Sequence, residues 1–427
     1  MANRVDAAII GAGAAGLAAA VRLARAGVDV LALEARDRIG GRAHTVMAGG
    51  FPVDLGCGWL HSADINPFSR IAQDLGVAID RTPPHWTRQA AAPNFPSADQ
   101  KSFRQALAAL ESRIEAAAAL GRDQPVSQLM DANDRWFPLL NAFSAYYNGA
   151  EFDQISTMDY AAYRDTEINW RAPDGYGALI ARFGAEAPVA LECPVRRVDH
   201  RGRLARLETP RGALEARVVI VTAPTPLIAD GAIAFTPDIP AVREAAAGLP
   251  LGLADKVFFG VDRAEDLPVD SHLFGAPSRT QTGSYHLRPF GRPIIEVFLG
   301  GRHARELEAE GEGASVAFAI EELTQILGSD IRARLTPLAA TAWATDPWSL
   351  GAYSHATPGC AGARAALGPA VKERIIFAGE ATSPDFFSTA HGAALSGVAA
   401  ADRALALLGD FRATPLERGS REFPGVR

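Results

Sequence analysis

The sequence predicts an α/β fold assembled from two interleaved domains, and the two ends of the chain carry this prediction. At the start, an apolar strand over Asp6–Ile10, a helix over Ala14–Ala26 and a second apolar strand over Val28–Glu34 form a βαβ unit. Such a unit is typical of a parallel sheet covered by helices. At the end, a strand over Arg374–Ala378 precedes a helix over Gly392–Leu408. Because similar segments lie at opposite ends of the chain, we expect both to build one domain, with an α+β domain inserted between them.

Between these ends the sequence indicates a second domain of mixed helices and strands. The stretch from Pro83 to Pro96 is rich in proline and lacks periodicity, so it marks the crossing into that domain. Short apolar runs with glycine turns between Gly184 and Val221 predict an antiparallel layer that returns to the first domain. The other predicted elements are helices over 101–120, 136–147 and 314–327, and strands over 256–261 and 293–299.

These elements divide the chain into six predicted segments. The last segment is polar and rich in proline and glycine, and we expect it to be a frayed tail. The first domain takes residues 1–82, 173–240 and 346–408, the second takes the helical segment 83–172 and the segment 241–345 with a sheet and a helix, and the tail is 409–427.

Composition and charge exclude some classes of function. The 427 residues are 48% hydrophobic and 21% charged, which is ordinary for a globular protein, and the formal net charge of -7 argues against a nucleic-acid partner. Cys57, Cys193 and Cys360 are scattered, so they predict neither a disulfide framework nor a metal site. The first residues enter a strand without a basic leader or a removable apolar segment. We therefore expect a cytoplasmic protein, monomeric or homodimeric, without a metal or a membrane partner.

A glycine-rich turn after the first strand predicts a bound dinucleotide. The turn reads Gly11-Ala-Gly13-Ala-Ala15-Gly16. Gly11 permits a tight turn, Gly13 lets the backbone approach a pyrophosphate, and Gly16 lets the following helix pack closely on the strand. That helix presents free N–H groups and the positive end of its dipole to the phosphates. Glu34 ends the second strand, where it can accept a hydrogen bond from a ribose 2′-OH and would repel the extra phosphate of NADP. The first domain is therefore expected to be Rossmann-like.

The residues that follow Glu34 identify the dinucleotide. They read Ala35-Arg36-Asp-Arg-Ile-Gly-Gly41-Arg42. This run resembles the extended motif of the flavin-containing amine oxidase family, which includes monoamine oxidases, L-amino-acid oxidases and polyamine oxidases. The resemblance implies that the dinucleotide is FAD, in a domain of the two-dinucleotide-binding type, with the arginine on its pyrophosphate. Arg42 suits this role because its planar guanidinium matches phosphate oxygens.

Segments further along the chain extend the resemblance, and they are closest to the polyamine oxidase and lysine-specific demethylase branch. Residues 54–61, DLGCGWLH, resemble a segment that runs beside the isoalloxazine ring, which implies ring contacts for Gly58 and Trp59. The step from Cys193 to Val195 resembles the place where a valine main chain meets the adenine. The resemblance therefore covers the cofactor from its adenine to its ring.

The match near the C-terminus is the most specific. Residues 377–380, FAGE, and residues 388–393, STAHGA, resemble the last cofactor motif of the family. The resemblance implies that Gly379 and Glu380 bind ribityl or pyrophosphate groups. It also implies that Thr389 and Ala390 lead into a helix whose N-terminus points at the flavin, where it would stabilise negative charge.

An aromatic run implies further contacts near the flavin. Residues 343–354, WATDPWSLGAYS, resemble a run of the same branch, which implies that Trp348 packs near the ring and that Tyr353 lines the substrate face. In monoamine oxidases the residue before this tyrosine is the cysteine that bonds to the flavin. Here that residue is Ala352, and Cys360 does not match the position. FAD is therefore expected to be bound non-covalently.

Lys256 is the candidate catalytic residue. It lies in GLADKVFFG, a strand of mostly apolar residues, where a lysine is unusual unless its ammonium reaches a partner or water. The family has a lysine on such a strand, hydrogen-bonded through water to flavin N5. The implied reaction transfers a hydride from the carbon next to a neutral amine to N5. The imine is then hydrolysed to an aldehyde or ketone plus an amine, and O₂ reoxidises the flavin and yields H₂O₂.

The sequence is less specific about the substrate. His61 and Glu151 match pocket residues of polyamine oxidases, and Thr389 occupies the position of a tyrosine in monoamine oxidases. We therefore expect a polyamine or another primary or secondary amine. Four other histidines have no spacing that indicates a site: His44, His85, His272 and His286.

Three other functions stay open from the sequence. An L-amino-acid oxidase would need an arginine for the substrate carboxylate, and Arg164 or Arg288 could serve. A FAD-dependent desaturase of an isoprenoid or porphyrin would share the fold, although Lys256 and the aromatic run argue against it. A non-catalytic binding protein stabilised by FAD would not need residues that face the ring. Chromatin is not expected as a substrate, because the long coiled-coil insertion of the histone demethylases does not occur in this sequence.

Overall fold

The computed structural model of the protein describes residues 3–90, 92 and 94–411. Most of the predicted tail, residues 412–427, lies outside this part of the chain. Residues 409–411 belong to the last helix, which extends beyond the predicted end at Leu408.

The strands of the described residues form a larger sheet of eight strands, a smaller sheet of five strands and a two-stranded hairpin. In chain order they are β1 (Asn3–Ile10), β2 (Val30–Leu33), β3 (Thr45–Ala48), β4 (Phe51–Asp54), β5 (Val189–Ala190), β6 (Arg197–Asp199), β7 (Ala205–Thr209), β8 (Gly212–Val221), β9 (Ala234–Thr236), β10 (Ala254–Val261), β11 (Ser271–Phe274), β12 (Ser284–Leu287), β13 (Ile294–Gly300), β14 (Leu335–Ala340) and β15 (Ile375–Phe377).

The helices cover both sheets. In chain order they are α1 (Ala14–Arg25), α2 (Pro67–Leu75), α3 (Ser97–Ala119), α4 (Phe137–Tyr147), α5 (Thr157–Ala162), α6 (Tyr176–Phe183), α7 (Thr225–Ala229), α8 (Pro240–Ala247), α9 (Gly301–Glu310), α10 (Ala314–Leu327), α11 (Ile331–Arg334), α12 (Ala363–Leu367) and α13 (Ala390–Phe411).

The larger sheet joins strands from distant parts of the chain. Its strand order is β5-β2-β1-β8-β7-β6-β9, with β15 paired to β8 as a branch. Strands β2, β1, β8 and β15 are parallel to one another, whereas β7 is antiparallel to both β8 and β6. The predicted antiparallel layer is thus present. Because Ile10 pairs with Val221 and Val221 with Phe377, the carboxyl ends of three distant strands lie side by side at one edge.

The smaller sheet consists of five antiparallel strands in the order β11-β12-β13-β10-β14. Its core combines residues of this sheet with residues of α9 and α10. The prediction of a mixed α/β fold is confirmed by these sheets and helices. The sequence did not indicate the hairpin β3–β4, strands β11 and β12, or helix α9, which are short or carry polar residues.

Helices α1 and α13 pack together in the core beside the larger sheet. The segment Ala390–Gly409 of α13 is long and apolar enough to span a membrane by length and composition. Of its most apolar window, 44% is buried inside the protein, where Ala401 and Ala404 contribute to the core. Its apolar residues therefore have a packing role within this fold.

Candidate active site

A cavity of about 1110 Å³ opens at the carboxyl edge of the parallel strands. It is larger than the roughly 300–1,000 Å³ that is usual for a small-molecule pocket, so it can hold a cofactor and a substrate together. Ile10 and Thr222 line it from the larger sheet, and Lys256 and Phe298 line it from the smaller one. Of the predicted cofactor residues, those that line it are Gly11, Gly13, Ala15, Glu34, Ala35, Arg36, Gly41, Arg42, Gly58, Trp59, Val195, Trp348, Gly379, Glu380, Thr389 and Ala390.

The glycine turn is a closely packed part of this wall. A Cβ atom at Gly16 would lie 2.0 Å from the carbonyl oxygen of Gly11, so the start of α1 packs directly on the turn. A Cβ atom at Gly41 would lie 3.2 Å from the Cα atom of Gly13, so two backbone segments meet there without side chains between them. Gly16 does not line the cavity and therefore serves the packing, whereas Gly13 and Gly41 leave bare backbone for a pyrophosphate.

Glu34 holds this wall together. Its carboxylate is buried and accepts hydrogen bonds from the backbone N–H groups of Ala12, at 2.7 Å, and Arg36, at 2.9 Å. Each carboxylate oxygen can accept more than one hydrogen bond. Glu34 can therefore fix the loop and also accept from a ribose hydroxyl.

Arg36 connects the nucleotide end of the cavity to the aromatic run. Its guanidinium donates to Asp346 Oδ1 at 2.6 Å and to Ser349 Oγ at 2.8 Å. Asp346 also accepts from the backbone N–H of Trp348 at 2.9 Å. The loop that carries Trp348 is therefore anchored to the residue that follows Glu34 and Ala35.

The half-buried Arg42 and the buried Glu380 form an ion pair at 3.0 Å in the wall of the cavity. Burial raises the pKa of Glu380, but Arg42, the Ser354 hydroxyl and other donors hold it below its usual value. The hydroxyl of Ser354 donates to Glu380 at 2.6 Å, and the N–H of Ser388 donates to it at 2.9 Å. Glu380 is thus an ionised carboxylate that joins Arg42 to the loop before α13.

Aromatic side chains form the wall on the side of the predicted flavin ring. The rings of Trp59 and Trp86 have centroids 4.5 Å apart, and both line the cavity with Trp343 and Trp348. The hydroxyl of Tyr353 donates to the carbonyl of Tyr146, and burial raises the pKa of Tyr353. This wall has few charges, which suits a flat ring and a neutral amine.

Lys256 lies on β10 with its ammonium at the cavity wall. Its Nζ atom donates to the backbone carbonyl of Asp54 at 2.9 Å and lies 2.9 Å from Glu296 Oε1. The ring centroid of Phe298 is 4.8 Å from the same atom. The lysine is tolerated in this apolar strand because its ammonium has polar partners inside the protein.

His61 and Thr389 lie at the cavity, as predicted, each with a fixed orientation. The Nδ1 atom of His61 is 2.7 Å from Asn169 Oδ1, and burial lowers the pKa of His61, so its ring is neutral at pH 7. The hydroxyl of Thr389 donates to the Phe386 carbonyl and accepts from the N–H of Gly392 at 3.0 Å. Thr389 is therefore the N-cap of α13, a role that the sequence did not indicate.

Glu151 does not lie at the cavity, and its prediction as a pocket residue was wrong. Its carboxylate is buried at the start of α9, where it accepts from the backbone N–H of Arg302 at 3.0 Å and from Gln154 at 3.1 Å. A carboxylate at the N-terminus of a helix compensates the free N–H groups and the dipole. Glu151 therefore stabilises the fold.

Other carboxylates line the outer part of the cavity and were missed. Glu111 of α3, Asp165 and Glu167 all belong to its wall, together with Arg104. Asp165 and Glu167 are exposed to solvent, which indicates that this part is the mouth of the cavity. Burial raises the pKa of Glu111, and the nearby Glu115 and Glu167 raise it further. No short motif marks these residues, because they come from segments about fifty positions apart.

Two histidines without a predicted role also line the cavity, His85 and His272. The ring of His85 stacks on that of His286, with centroids 3.8 Å apart and planes 8° apart. Burial lowers the pKa of His272 to about 3. A buried His85 with a pKa well below its usual value is likewise neutral. Their sequence spacing gave no signal, because the contacts follow from strand pairing.

The fold and the site together define a class of protein. A glycine turn, a buried acid at the end of β2 and a large adjoining cavity belong to enzymes that bind a dinucleotide at the carboxyl edge of parallel strands and react it with a second molecule. The family model of flavin containing amine oxidoreductases matches residues 14–135 and 112–405, and the chain belongs to this family. It is therefore a flavin-dependent amine oxidase, and FAD is the cofactor of the family.

Individual relatives agree with this assignment. The chain is 28% identical to polyamine oxidase 4 of Oryza sativa subsp. japonica, over 92% of this chain and 87% of that protein. It is also 28% identical to lysine-specific histone demethylase 1 homolog 3 of the same subspecies, over 91% of this chain and 52% of that protein.

Solved structures show the same fold. A putrescine oxidase bound to putrescine superposes with a TM-score of 0.78 at 20% identity, over 95% of this chain and 100% of that one. Cyclohexylamine oxidase from Brevibacterium oxydans IH-35A superposes with a TM-score of 0.74 at 21% identity, over 96% of this chain and 99% of that one.

Proposed function

We propose that this protein oxidises an amine that carries a second positive charge, such as a polyamine, with O₂ as the electron acceptor and H₂O₂ as a product. The observation that carries the proposal is the charge distribution of one cavity, which has a cofactor wall, an aromatic middle and carboxylates at its mouth. Its similarity to polyamine oxidase 4 supports the same substrate class.

The described residues fit FAD along the whole cofactor wall. Gly13 and Gly41 leave backbone bare for the pyrophosphate, Arg42 supplies a cation near it, and Val195 lines the part expected to receive the adenine. The parallel strands β2, β1, β8 and β15 support a Rossmann-like domain of the two-dinucleotide-binding type. We propose that this domain is interleaved with the substrate domain as the sequence predicts.

FAD is proposed to be bound without a covalent bond. Ala352 precedes Tyr353 in the cavity wall and has no nucleophilic group. Cys57 also lines the cavity, but burial raises the pKa of its thiol to about 12. A thiol reacts as its thiolate, so Cys57 is unreactive at neutral pH.

When bound, FAD supplies the hydride acceptor at N5, and the chain has three tasks around it. The aromatic wall that includes Trp59 and Tyr353 excludes water and disfavours the charged form of the reacting amine. The neutral ring of His61 can accept a hydrogen bond from that amine. The Lys256 ammonium uses two of its three donors on Asp54 and Glu296, so the third is available to a water molecule or the cofactor.

The mouth of the cavity provides recognition for the second charge. Glu111, Asp165 and Glu167 line it together, and Asp165 is held by the Ser62 hydroxyl at 3.3 Å. The aromatic rings of Tyr147 and other tyrosines lie beside them. An ammonium group there would find carboxylates and aromatic faces, both of which attract cations.

The amino-acid oxidase alternative loses its candidate arginines. Arg164 pairs with Asp385 at 3.3 Å, and Arg288 donates to the carbonyl of Leu267 at 3.0 Å. Neither arginine lines the cavity, so neither can hold a substrate carboxylate there. Arg104 does line it, but at the mouth, together with Glu111, Asp165 and Glu167. Amino acids are therefore expected to react more slowly than polyamines.

A substrate screen tests the proposal. The purified protein with its flavin is mixed anaerobically with putrescine, spermidine, spermine, cyclohexylamine and L-amino acids, and flavin bleaching is followed by absorbance. H₂O₂ release is then measured in air. We expect bleaching by polyamines and peroxide in step with substrate loss. Bleaching only by amino acids would overturn the choice of substrate, and no bleaching by any amine would overturn the proposal.

A matched pair of variants on α3 tests the mouth of the cavity. Glu111 lines the cavity, whereas the exposed Glu115, one turn further along the same helix, does not. We expect Glu111→Gln to raise KM for spermidine about fivefold with little change in kcat, the size of a partly exposed ion pair of about 1 kcal/mol. Glu115→Gln should leave both constants unchanged, and equal effects of the two variants would contradict a specific contact.

A further inference from the structure

A row of ionisable side chains crosses one face of the smaller sheet and ends at Lys256. His272 on β11 pairs directly with His286 on β12, and His286 pairs directly with Glu296 on β13. Glu296 lies opposite Phe258 of β10, two residues from Lys256, so Glu296 and Lys256 are diagonal neighbours on the same face. Strand register thus brings together four residues that are distant in sequence.

Contacts join three members of this row and continue beyond it to Asp270 and Arg171. Lys256 Nζ lies 2.9 Å from Glu296 Oε1, and the other oxygen of Glu296 lies 3.5 Å from His286 Nδ1, an ion-pair distance without a hydrogen bond. His286 Nε2 lies 3.1 Å from Asp270 Oδ1. Asp270 in turn accepts from Arg171 at 2.9 Å. Carboxylates therefore alternate with basic groups from Lys256 at the cavity wall to Arg171.

Most of the row is buried. Lys256, His286 and Arg171 are each at most 5% exposed, and the Glu296 side chain is 13% exposed. His85 stacks on one face of His286, and His272 flanks it on β11. A buried charge is stable only when it is paired, so each carboxylate stabilises the charged form of the basic groups beside it.

We propose that Glu296, supported by His286, is a positioning residue that keeps the Lys256 side chain charged and directed at one point of the cavity wall. Removal of the carboxylate would leave the ammonium with the backbone carbonyl of Asp54, the buried Asp54 carboxyl nearby and aromatic rings. The nearest anion would be lost, and burial would then shift Lys256 toward the neutral amine. The consequence for turnover rests on the proposed amine oxidation, whereas the charge of Lys256 can be measured without a substrate.

The lysine content of the chain makes that measurement direct. The sequence has three lysines, Lys101, Lys256 and Lys372, and the first and last are exposed. Protein loaded with FAD and labelled with carbon-13 at lysine Cε should therefore give three resolved NMR signals. The pH at which each signal shifts reports the charge of one lysine, with Lys101 and Lys372 as internal references.

We expect Glu296→Gln to move the titration midpoint of the Lys256 signal to lower pH by about one pH unit or more, which is a tenfold change in proton concentration. The signals of Lys101 and Lys372 should not move. Glu322→Gln is the matched control, because Glu322 is also a buried carboxylate beside this sheet but is bonded to Thr282, Gly283 and Tyr285. That control should leave the Lys256 signal in place.

The Glu296→Asp variant and steady-state kinetics provide two further tests. Should Glu296→Gln not fold, Glu296→Asp keeps the charge at a longer distance and should move the Lys256 midpoint in the same direction by a smaller factor. With an amine that bleaches the flavin, Glu296→Gln should lower kcat and displace its pH profile while KM stays constant. An unmoved Lys256 signal, or an equal movement in Glu322→Gln, would overturn the proposal even if amines are oxidised. Failure of every amine to react would instead count against the proposed function alone.

Discussion

Gly13 and Gly16 lie three residues apart in the turn after β1, yet a methyl group would meet different surroundings at each. At Gly13 the nearest atom to an added Cβ is the Gly40 carbonyl oxygen at 3.8 Å, an ordinary contact, and the residue faces the cavity. At Gly16 the Gly11 carbonyl oxygen would be 2.0 Å away. One position is therefore constrained by the ligand and the other by the fold.

This difference predicts opposite outcomes for two alanine variants. Gly13→Ala should leave the free energy of unfolding of the FAD-free protein within about 0.5 kcal/mol of wild type. The same variant should weaken FAD binding about tenfold or more, because the methyl group occupies space meant for the pyrophosphate. Gly16→Ala should lower the free energy of unfolding by about 1–3 kcal/mol through overpacking. Urea unfolding and FAD fluorescence titration measure the two effects, and similar losses of stability in both variants would contradict this division.

Residues within contiguous motifs could be predicted from the sequence, and isolated ones could not. Glu34 and Arg42 belong to runs whose spacing is dictated by one turn and one bound group, and both line the cavity. Glu151 was chosen on a short similarity alone, and its carboxylate instead serves the start of α9. Glu111 and Glu167 lie in segments without a motif, so only their meeting in space reveals them.

At the scale of elements, long periodic helices and apolar strands were predictable. Helix α10 has the predicted bounds, Ala314–Leu327, because its apolar residues recur with helical spacing throughout. The row from His272 to Lys256 could not be predicted, because it depends on the register between strands. A shift of one residue in any pairing would move a side chain to the other face of the sheet.

Thr389 gives a prediction at this scale, because its hydroxyl caps helix α13. Thr389→Ala removes that cap and should lower the free energy of unfolding by about 1 kcal/mol, whereas Thr389→Ser should keep most of it. The helix N-terminus also faces the cavity, so FAD should bind less tightly to the alanine variant. Thermal unfolding at fixed FAD concentration and FAD titration provide the measurements. If Thr389→Ala changed only KM for the amine, the side chain would be a substrate contact and not a cap.

At the scale of the whole molecule, parallel strands require crossover connections, so neighbouring strands of the larger sheet can be far apart in sequence. Strands β1, β8 and β15 are neighbours although they come from the beginning, middle and end of the chain. The cavity lies where this sheet and the smaller sheet approach each other, so its residues come from nearly every part of the chain. Folding of both sheets is therefore needed to build the site.

The buried charges of the smaller sheet make the stability of the molecule depend on acid pH. Burial raises the pKa of Glu296, but Lys256 and His286 lower it by more, to about 2. For Asp270, burial likewise raises the pKa, and His286 and Arg171 bring it to about 2. The unfolded chain binds protons at ordinary carboxyl values, so it takes up more protons than the folded protein between pH 5 and 2. The stabilisation is nearly complete above about pH 5 and is lost as the pH falls toward 2.

We expect the urea midpoint, measured at constant FAD concentration, to fall steeply as the pH is lowered from 5 to 3. Glu296 alone contributes on the order of 2 kcal/mol to this change between pH 5 and 3. Asp270→Asn should start from a lower midpoint at pH 7 and show a shallower decline, because one of the two carboxyls is gone.

Asp199 is the control, since its pKa is also lowered to about 2, by hydrogen bonds from Arg201. Because Arg201 is only two residues away and exposed, the unfolded chain can keep much of that contact. Asp199→Asn should therefore follow the wild-type curve, and a wild-type slope in Asp270→Asn would show that acid sensitivity arises elsewhere.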